Sequence, residues 1–266
     1  MAGQLFTLYR ISDGSNQAKN KLSHADKFHC LRNYLSVFGP ENLLVFADNC
    51  SAPTLDELTR LGITYQTIKL GNRGSFLHIV KYAIDQLPHD AYVYLLEDDY
   101  LHLPGSRQAL LEGLAIADYV SLYDHPDKYV EFGKGGLNHY VIDGGETTKL
   151  FLTQSSHWKE TNSTTMTFAA KIGTLAADYK IWAKWGVRDY YVWQDLLRNE
   201  AGFSEHMRVV RNKMSGKAAF RQKIENVFRH FGYHFNRKRR LITPVPGMAT
   251  HVELNYLSPL RDWQKV

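Results

Sequence analysis

The stretch AYVYLLEDDYLHLPG, residues 91–105, decides how the chain is read. Its first six residues, Ala91 to Leu96, are apolar or aromatic without interruption, the pattern of a strand buried on both faces. The run passes directly into three consecutive carboxylates, Glu97, Asp98 and Asp99, and Pro104 is placed to open a helix. Side chains at i and i+2 of a strand share a side, so Glu97 and Asp99 are expected to face a ligand together, with Asp98 turned away or starting a turn. Three adjacent carboxylates repel one another unless a cation or hydrogen-bond donors compensate them. Mg2+ and Mn2+ suit oxygen donors of this kind; the plainer alternative is that the acids mark a turn.

Upstream, strand and helix patterns alternate. Strands are expected at Leu5–Tyr9, Asn42–Ala47 and Ile63–Leu70. Helices are expected at Phe28–Phe38, closed by Gly39-Pro40, at Pro53–Leu61, and from Ser75 onward. A further helix from Pro104 to about Ala117 leads to a fifth strand, Tyr119–Tyr123. Such repeated units imply a mostly parallel sheet with helices on both faces, and ligands of such sheets sit at the carboxyl ends of the strands. Arg10, Asp48, Asn72 and the acidic run all collect on that rim. The segment from Gly71 to Ser75, ahead of a helix, offers backbone N–H groups and a positive helix end to an anion, although Ser75 taken alone reads as an N-cap. Asp48 suits either a nucleobase N–H or an Asx turn.

In this order the elements resemble the GT-A fold glycosyltransferases, the family-2-like group of nucleotide-diphospho-sugar transferases in particular. The match is close over residues 4–123 and loose beyond. The resemblance implies a Rossmann-like central sheet, with residues 1–123 as the nucleotide-sugar-binding half and 124–266 as an irregular acceptor-binding and catalytic half of one continuous domain. It places Tyr9, Arg10 and Asp48 around base and ribose, Asn72 and Gly74 beside the nucleotide, and Glu97 and Asp98 near ribose and phosphates. Asp99 is implied as the metal ligand for Mn2+ or Mg2+. The late His251, which follows a proline-rich return segment, would complete the metal shell. Inverting members take a general base from a helix start in the second half. Asp195, in Trp193-Gln194-Asp195-Leu196, resembles that position, with Asp189 as the second choice. His157 and Trp158 are candidates for an acceptor platform. The sequence departs from the family's usual pattern in having Tyr9-Arg10-Ile11-Ser12-Asp13 at the end of the first strand and Glu-Asp-Asp in place of a strict Asp-x-Asp.

The second half is less periodic. Residues 124–147 read as a loop excursion, Lys149–Thr153 and Thr164–Ala170 as strands around a polar stretch, Leu175–Trp185 and Tyr191 to about Asn199 as helices, and Thr243–Val266 as a mostly extended tail. With 266 residues, 44% of them hydrophobic and 22% charged, the chain has the composition of a globular protein with a sizeable core. It contains no apolar run of membrane-spanning length and no basic-then-apolar N-terminus. Its two cysteines, Cys30 and Cys50, make no disulfide framework. The expectation is therefore a cytoplasmic protein. The net charge of +5 concentrates between Arg208 and Arg240, a solvated helix face on the plain reading. Alternatively it holds the protein peripherally at the inner face of an anionic membrane. The functional expectation is a metal-dependent, inverting transfer from a nucleotide-diphospho-sugar donor to a sugar, lipid-linked or protein acceptor. A sugar nucleotidyltransferase and a nucleic-acid-binding protein using residues 208–240 are the alternatives. No Gly-rich, Lys/Arg-bearing loop follows the first strand to favour the former, no nucleic-acid motif favours the latter, and nucleic acid is not an expected partner.

Overall fold

The structure is a computed structural model that describes residues 3–14, 20–136, 138, 141, 143–197 and 238–266. In the first half, β1 (Leu5–Ser12), β2 (Leu43–Asp48), β3 (Tyr65–Ile68) and β4 (Tyr92–Glu97) alternate with α1 (Lys27–Phe38), α2 (Ala52–Arg60) and α3 (Gly71–Gln86). There follow β5 (Tyr100–His102), α4 (Ser106–Ile116), β6 (Tyr119–Val120), β7 (Leu150–Leu152), β8 (His157–Glu160), β9 (Phe168–Lys171), α5 (Ile172–Trp185), α6 (Asp189–Leu197), β10 (Leu241–Pro244) and β11 (Ala249–His251). Nine strands form one sheet in the order β3-β2-β1-β4-β9-β6-β10-β8-β7. The half β3-β2-β1-β4 is parallel throughout and has the strand order of a Rossmann-like unit. Two strands run against the rest: β9, between β4 and β6, and β8, between β10 and β7. The sheet is therefore mixed but mostly parallel, and it continues without a break across residue 123.

Strand alternation explains why both faces carry helices. Tyr9, Ile11, Tyr94 and Leu96 point to one side and pack with Leu31, Tyr34 and Phe38 of α1, Leu58 of α2, and Ala109 and Leu110 of α4. Leu8, Phe46, Val93 and Leu95 point to the other side, toward Phe76, Ile79 and Val80 of α3, Leu175 and Trp182 of α5, and Trp193 and Leu196 of α6. The period-two pattern of each strand thus feeds two cores.

Three local expectations are corrected. First, α3 begins at Gly71 rather than Ser75. Asp48 Oδ1 accepts the backbone N–H groups of Leu70 (2.8 Å) and Gly71 (3.2 Å), so a carboxylate outside the helix satisfies its first donors. Gly71 has φ +67°, a conformation that only glycine adopts without strain. Second, the polar stretch after Thr153 is not a loop throughout. His157–Glu160 is β8, and Trp158 is fully buried against Gly113 and Val120, so it serves the core rather than an acceptor platform. Third, the tail does more than run extended. β10 enters the main sheet, and β11 pairs antiparallel with β5, with His251 opposite Tyr100.

The basic segment divides in the same way. Residues 208–237 lie outside the described residues, but the end of the segment is structural. Arg239 is buried and grips Asp178 through Nε (2.8 Å) and Nη2 (2.9 Å) and Asp118 through Nη1 (3.2 Å). Tyr119 donates to the same Asp178 carboxylate. This pair fixes where the chain re-enters the sheet at β10. Arg239→Met should lower unfolding stability by about 3 kcal/mol, because it strands a buried carboxylate. Adding Asp178→Leu should recover much of that loss. Urea denaturation of the single and double variants checks both expectations.

Candidate active site

The carboxyl ends of β1, β2 and β4 enclose a cleft of about 440 Å3 lined by Arg10, Ser12, Asp48, Asn72, Ser75, Glu97, Asp98, Asp99 and His251. The acidic run does not keep strand alternation: β4 ends at Glu97, and Asp98-Asp99 form the turn into β5. All three acids consequently line the cleft, Asp98 included. Each is met by a different element. Glu97 pairs with Arg10 of β1. Asp98 Oδ2 accepts the Ser12 backbone N–H at 2.8 Å. Asp99 Oδ2 lies 3.0 Å from His251 Nε2 and 3.6 Å from Lys21 Nζ.

The register of β5 with β11 delivers His251 to this place, and Val252 donates its N–H to the Asp99 carbonyl at 3.0 Å. Arg10 is spread over several partners. Its Nη1 donates to the Asn72 carbonyl (2.6 Å), Asn72 Oδ1 (2.7 Å) and Ser75 Oγ (3.0 Å). Asn72 and Ser75 thus hold the guanidinium from the first turn of α3. Asp48 commits Oδ1 to Leu70, Gly71 and Asn49, which leaves Oδ2 toward the cleft. Two other candidates sit behind the wall. Tyr9 is core, its ring 6.0 Å from that of Tyr34. Gly74 packs against Leu70, where an added Cβ would come within 3.0 Å of the Leu70 Cβ.

The electrostatics follow from crowding. Burial raises the Glu97 carboxyl, and Arg10 opposes that rise. Burial, reinforced by Asp99, pushes Asp98 up to about 7. Among the described residues no group of three or more His, Cys, Asp or Glu side chains is arranged to hold a metal ion. The donor set nevertheless fits a hard divalent cation that takes part of its shell from a ligand: Asp99 and His251 already converge, and adjacent buried carboxylates favour a cation among them. His251 Nδ1 accepts the Glu253 N–H (3.2 Å), which orients the ring with Nε2 toward Asp99.

A second cleft, about 450 Å3, opens beside the first. It is lined by His125, Asp127, Lys128, Ser163, Thr165, Asp189, Tyr190, Tyr191 and Tyr256 among others. The partition is one side chain thick. Thr165 Oγ1, on the second cleft, bonds the Tyr100 hydroxyl at 2.7 Å, and the Tyr100 ring stands edge-on to His251 of the first, 5.3 Å away. Of the two candidate bases, Asp189 lines this second cleft as the first residue of α6. Its side chain is exposed, and its carboxyl is shifted upward by neighbouring protein, with a smaller contribution from Asp127. Asp195 is buried on another side of α6, where Trp185 Nε1 donates to it at 2.6 Å and Lys184 Nζ lies 3.5 Å away. It lines neither cleft. Sequence reasoning missed Lys21, Asp127 and the three tyrosines. Tyr190 and Tyr191, in tandem beside Asp189, were the available signal.

No protein-family model matches the chain, and no curated protein matches it. Solved structures similar to it in outline include GalNAc-T7 with UDP, GalNAc and Mn2+ (TM-score 0.47, 10% identity, covering 73% of this chain and 40% of that one). A CMP-2-keto-3-deoxy-manno-octonic acid synthetase complexed with CTP has TM-score 0.45 and 11% identity over 92% of each chain. S. aureus TarS 1–349 has TM-score 0.40 and 12% identity, over 87% of this chain and 72% of that one. The chain thus spans two fifths of the GalNAc-T7 chain, and likeness this distant carries no residue role across.

The position of Asp98 sets a pH dependence. Its unfolded-state pKa is near 4, and in the folded protein it is raised to about 7. Between those values the folded form holds a proton that the unfolded form has lost, so stability falls as pH rises through this window and levels off above it. Asp98→Asn removes the cost while keeping an acceptor for Ser12. The melting temperature of the variant relative to the parent should therefore be higher at pH 8 than at pH 4.5. Thermal melts at the two pH values measure it.

Proposed function

We propose that the chain is a glycosyltransferase that binds a nucleotide-diphospho-sugar in the first cleft and transfers the sugar to a hydroxyl acceptor in the second. The observation that carries this reading is the pairing of two similar clefts across Tyr100 and Thr165, one acidic and helix-capped, the other presenting a carboxylate. Asp48 Oδ2 suits an N–H on the edge of a nucleobase, since its partner oxygen is already saturated by three donors. The diphosphate would lie toward Asp98 and Asp99. A dianion cannot approach that wall uncompensated, because Arg10 is committed to Glu97, Asn72 and Ser75. Asp99 and His251 would therefore hold Mn2+ or Mg2+. When bound, the ion would offset the charge on the departing nucleoside diphosphate.

Asp189 is the proposed general base. It lines the second cleft as the first residue of α6, where its side chain is exposed to a ligand. A base on the acceptor side, with the leaving group on the other, suits a single displacement with inversion. The basic residues 208–237 are proposed to lie against an anionic membrane surface in the cytoplasm.

A thermal-shift panel of UDP-, GDP-, CMP- and dTDP-sugars tests the donor assignment. One donor class should raise the melting temperature only with Mn2+ present, and Asp99→Ala should abolish the rise. For the base, Asp189→Asn should lower kcat by roughly 10²- to 10⁴-fold with donor binding retained, whereas Asp195→Asn should act through stability. Full turnover in Asp189→Asn would remove it from the mechanism.

A further inference from the structure

We infer that the exposed face of β7 docks on an anionic lipid surface, with Leu150 and Leu152 entering the interface and the cations around them meeting the headgroups. The inference rests on the membrane placement proposed for residues 208–237, adds an apolar contact to it, and is independent of the transfer reaction.

β7 is the edge strand of the nine-stranded sheet. Its alternation sends Phe151 inward, against the core on the α4 side. Leu150 and Leu152 point the other way and are 78% and 73% exposed. Leu150 stands directly opposite Lys159 of β8, so the two side chains share a face. The Lys159 ammonium lies 4.3 Å from the centre of the Tyr129 ring, which brings Tyr129 to the same face, with Val130 next in the chain. Lys159 itself is buried and paired with Asp124 at 2.9 Å. Tyr129, Val130, Leu150 and Leu152 are four of the seven large apolar side chains exposed among the described residues. Apolar groups gathered at a sheet edge, rather than scattered singly, mark an interaction surface.

Charge selects the partner. Lys149, immediately before β7, lines a cleft with Lys238 and Arg240, and all three residues are exposed. Of the acids in that cleft, Asp118 is bonded to Arg239 and to the Arg240 N–H, and Glu160 is set against the three cations. Lys149 also lines a smaller cleft with Leu197 and Lys238, the described residues that flank 198–237. Within that stretch, residues 208–237 carry eight Lys and Arg against one acid, Glu225. The basic segment therefore departs and returns beside β7. A second copy of the chain would bring the same cations face to face, since a two-fold interface meets its own surface. Anionic headgroups complement them instead. Leucines enter the acyl boundary while neighbouring ammonium groups stay among the headgroups.

The test is co-sedimentation of the full chain with vesicles of phosphatidylcholine alone and of phosphatidylcholine mixed with phosphatidylserine, together with melting temperatures and light scattering. The parent should bind the mixed vesicles in preference to the neutral ones. Leu150→Ser/Leu152→Ser should weaken that binding at least about tenfold with an unchanged melting temperature. Lys149→Ala should weaken it roughly fivefold at low salt and less at high salt. Leu260→Ser, at a leucine 83% exposed in the tail after β11, should bind like the parent. Equal binding by the double leucine variant and the parent overturns the inference and leaves the membrane placement of residues 208–237 standing, as does an equal loss in Leu260→Ser. A parent with no binding, or with no preference for the anionic vesicles, ends both and leaves the donor assignment to its own assay. A lower melting temperature in the double leucine variant would mean that the chain itself covers β7. A parent dimer that this variant breaks would mean that a second copy does. Either result overturns the inference.

Discussion

Three neighbouring carboxylates at the end of a buried strand cannot stand without compensation, and the structure around Glu97, Asp98 and Asp99 supplies it from four separate elements. β1 contributes Arg10 and the Ser12 N–H, α3 holds that arginine through Asn72 and Ser75, the segment before α1 brings Lys21, and the returning tail brings His251. Remove the acids and little electrostatic reason remains for these parts to converge. The same arrangement leaves the cleft short of positive charge, because the available cations are bound to the acids rather than offered to a ligand.

The tail illustrates how such a site is assembled from distant sequence. β11 adds to β5 by a three-residue register, too short to be stable alone. It is supported by Leu103 and Ser106, both bonded to the Met248 carbonyl, and by Leu22, whose N–H donates to the Val252 carbonyl. Farther back, Arg239 clamps the chain at Asp178 before it enters β10. Backbone pairing therefore sets the position of His251 beside Asp99, and no local preference of its own does so.

The first half of the fold was legible because period-two strands and amphipathic helices write their burial into the sequence. Leu8 and Tyr9, or Leu95 and Leu96, disclose two opposed cores by adjacency alone. The exact start of α3 was not legible, because the donors at its N-terminus are satisfied by Asp48, which lies 22 residues before Leu70. β8 was hidden for a related reason. His157, Lys159 and Glu160 are polar, and the strand exists because it pairs between β10 and β7 and buries Trp158. Lys159 itself is buried, beside Asp124 at 2.9 Å, a pairing across 35 positions of sequence that no local pattern announces. In the first cleft, Arg10, Asp48, Asn72 and the acids were readable from their strand-end positions, whereas His251 came from the family resemblance alone. Tyr9 and Gly74 share that neighbourhood in sequence, but alternation turns one into the core and close packing on Leu70 turns the other away from the cleft.

The choice between Asp189 and Asp195 shows how a boundary of two residues carries chemistry. Six residues separate them, about 600° of helical rotation, so they face directions roughly 120° apart. A helix packed against α5 cannot present both to the same cleft. Had α6 begun at Tyr191, as the apolar pattern suggests, Asp189 would have belonged to a loop and Asp195 to the helix alone. The helix instead begins at Asp189, whose carboxylate takes the N–H of Tyr190, and its apolar face, Val192, Trp193 and Leu196, is committed to the core with Trp182 and Phe168. Once that face is fixed, Asp195 falls against Trp185 and Asp189 falls in the lining of the second cleft. Core packing, acting through the phase of one helix, thus determines which carboxylate reaches the second cleft.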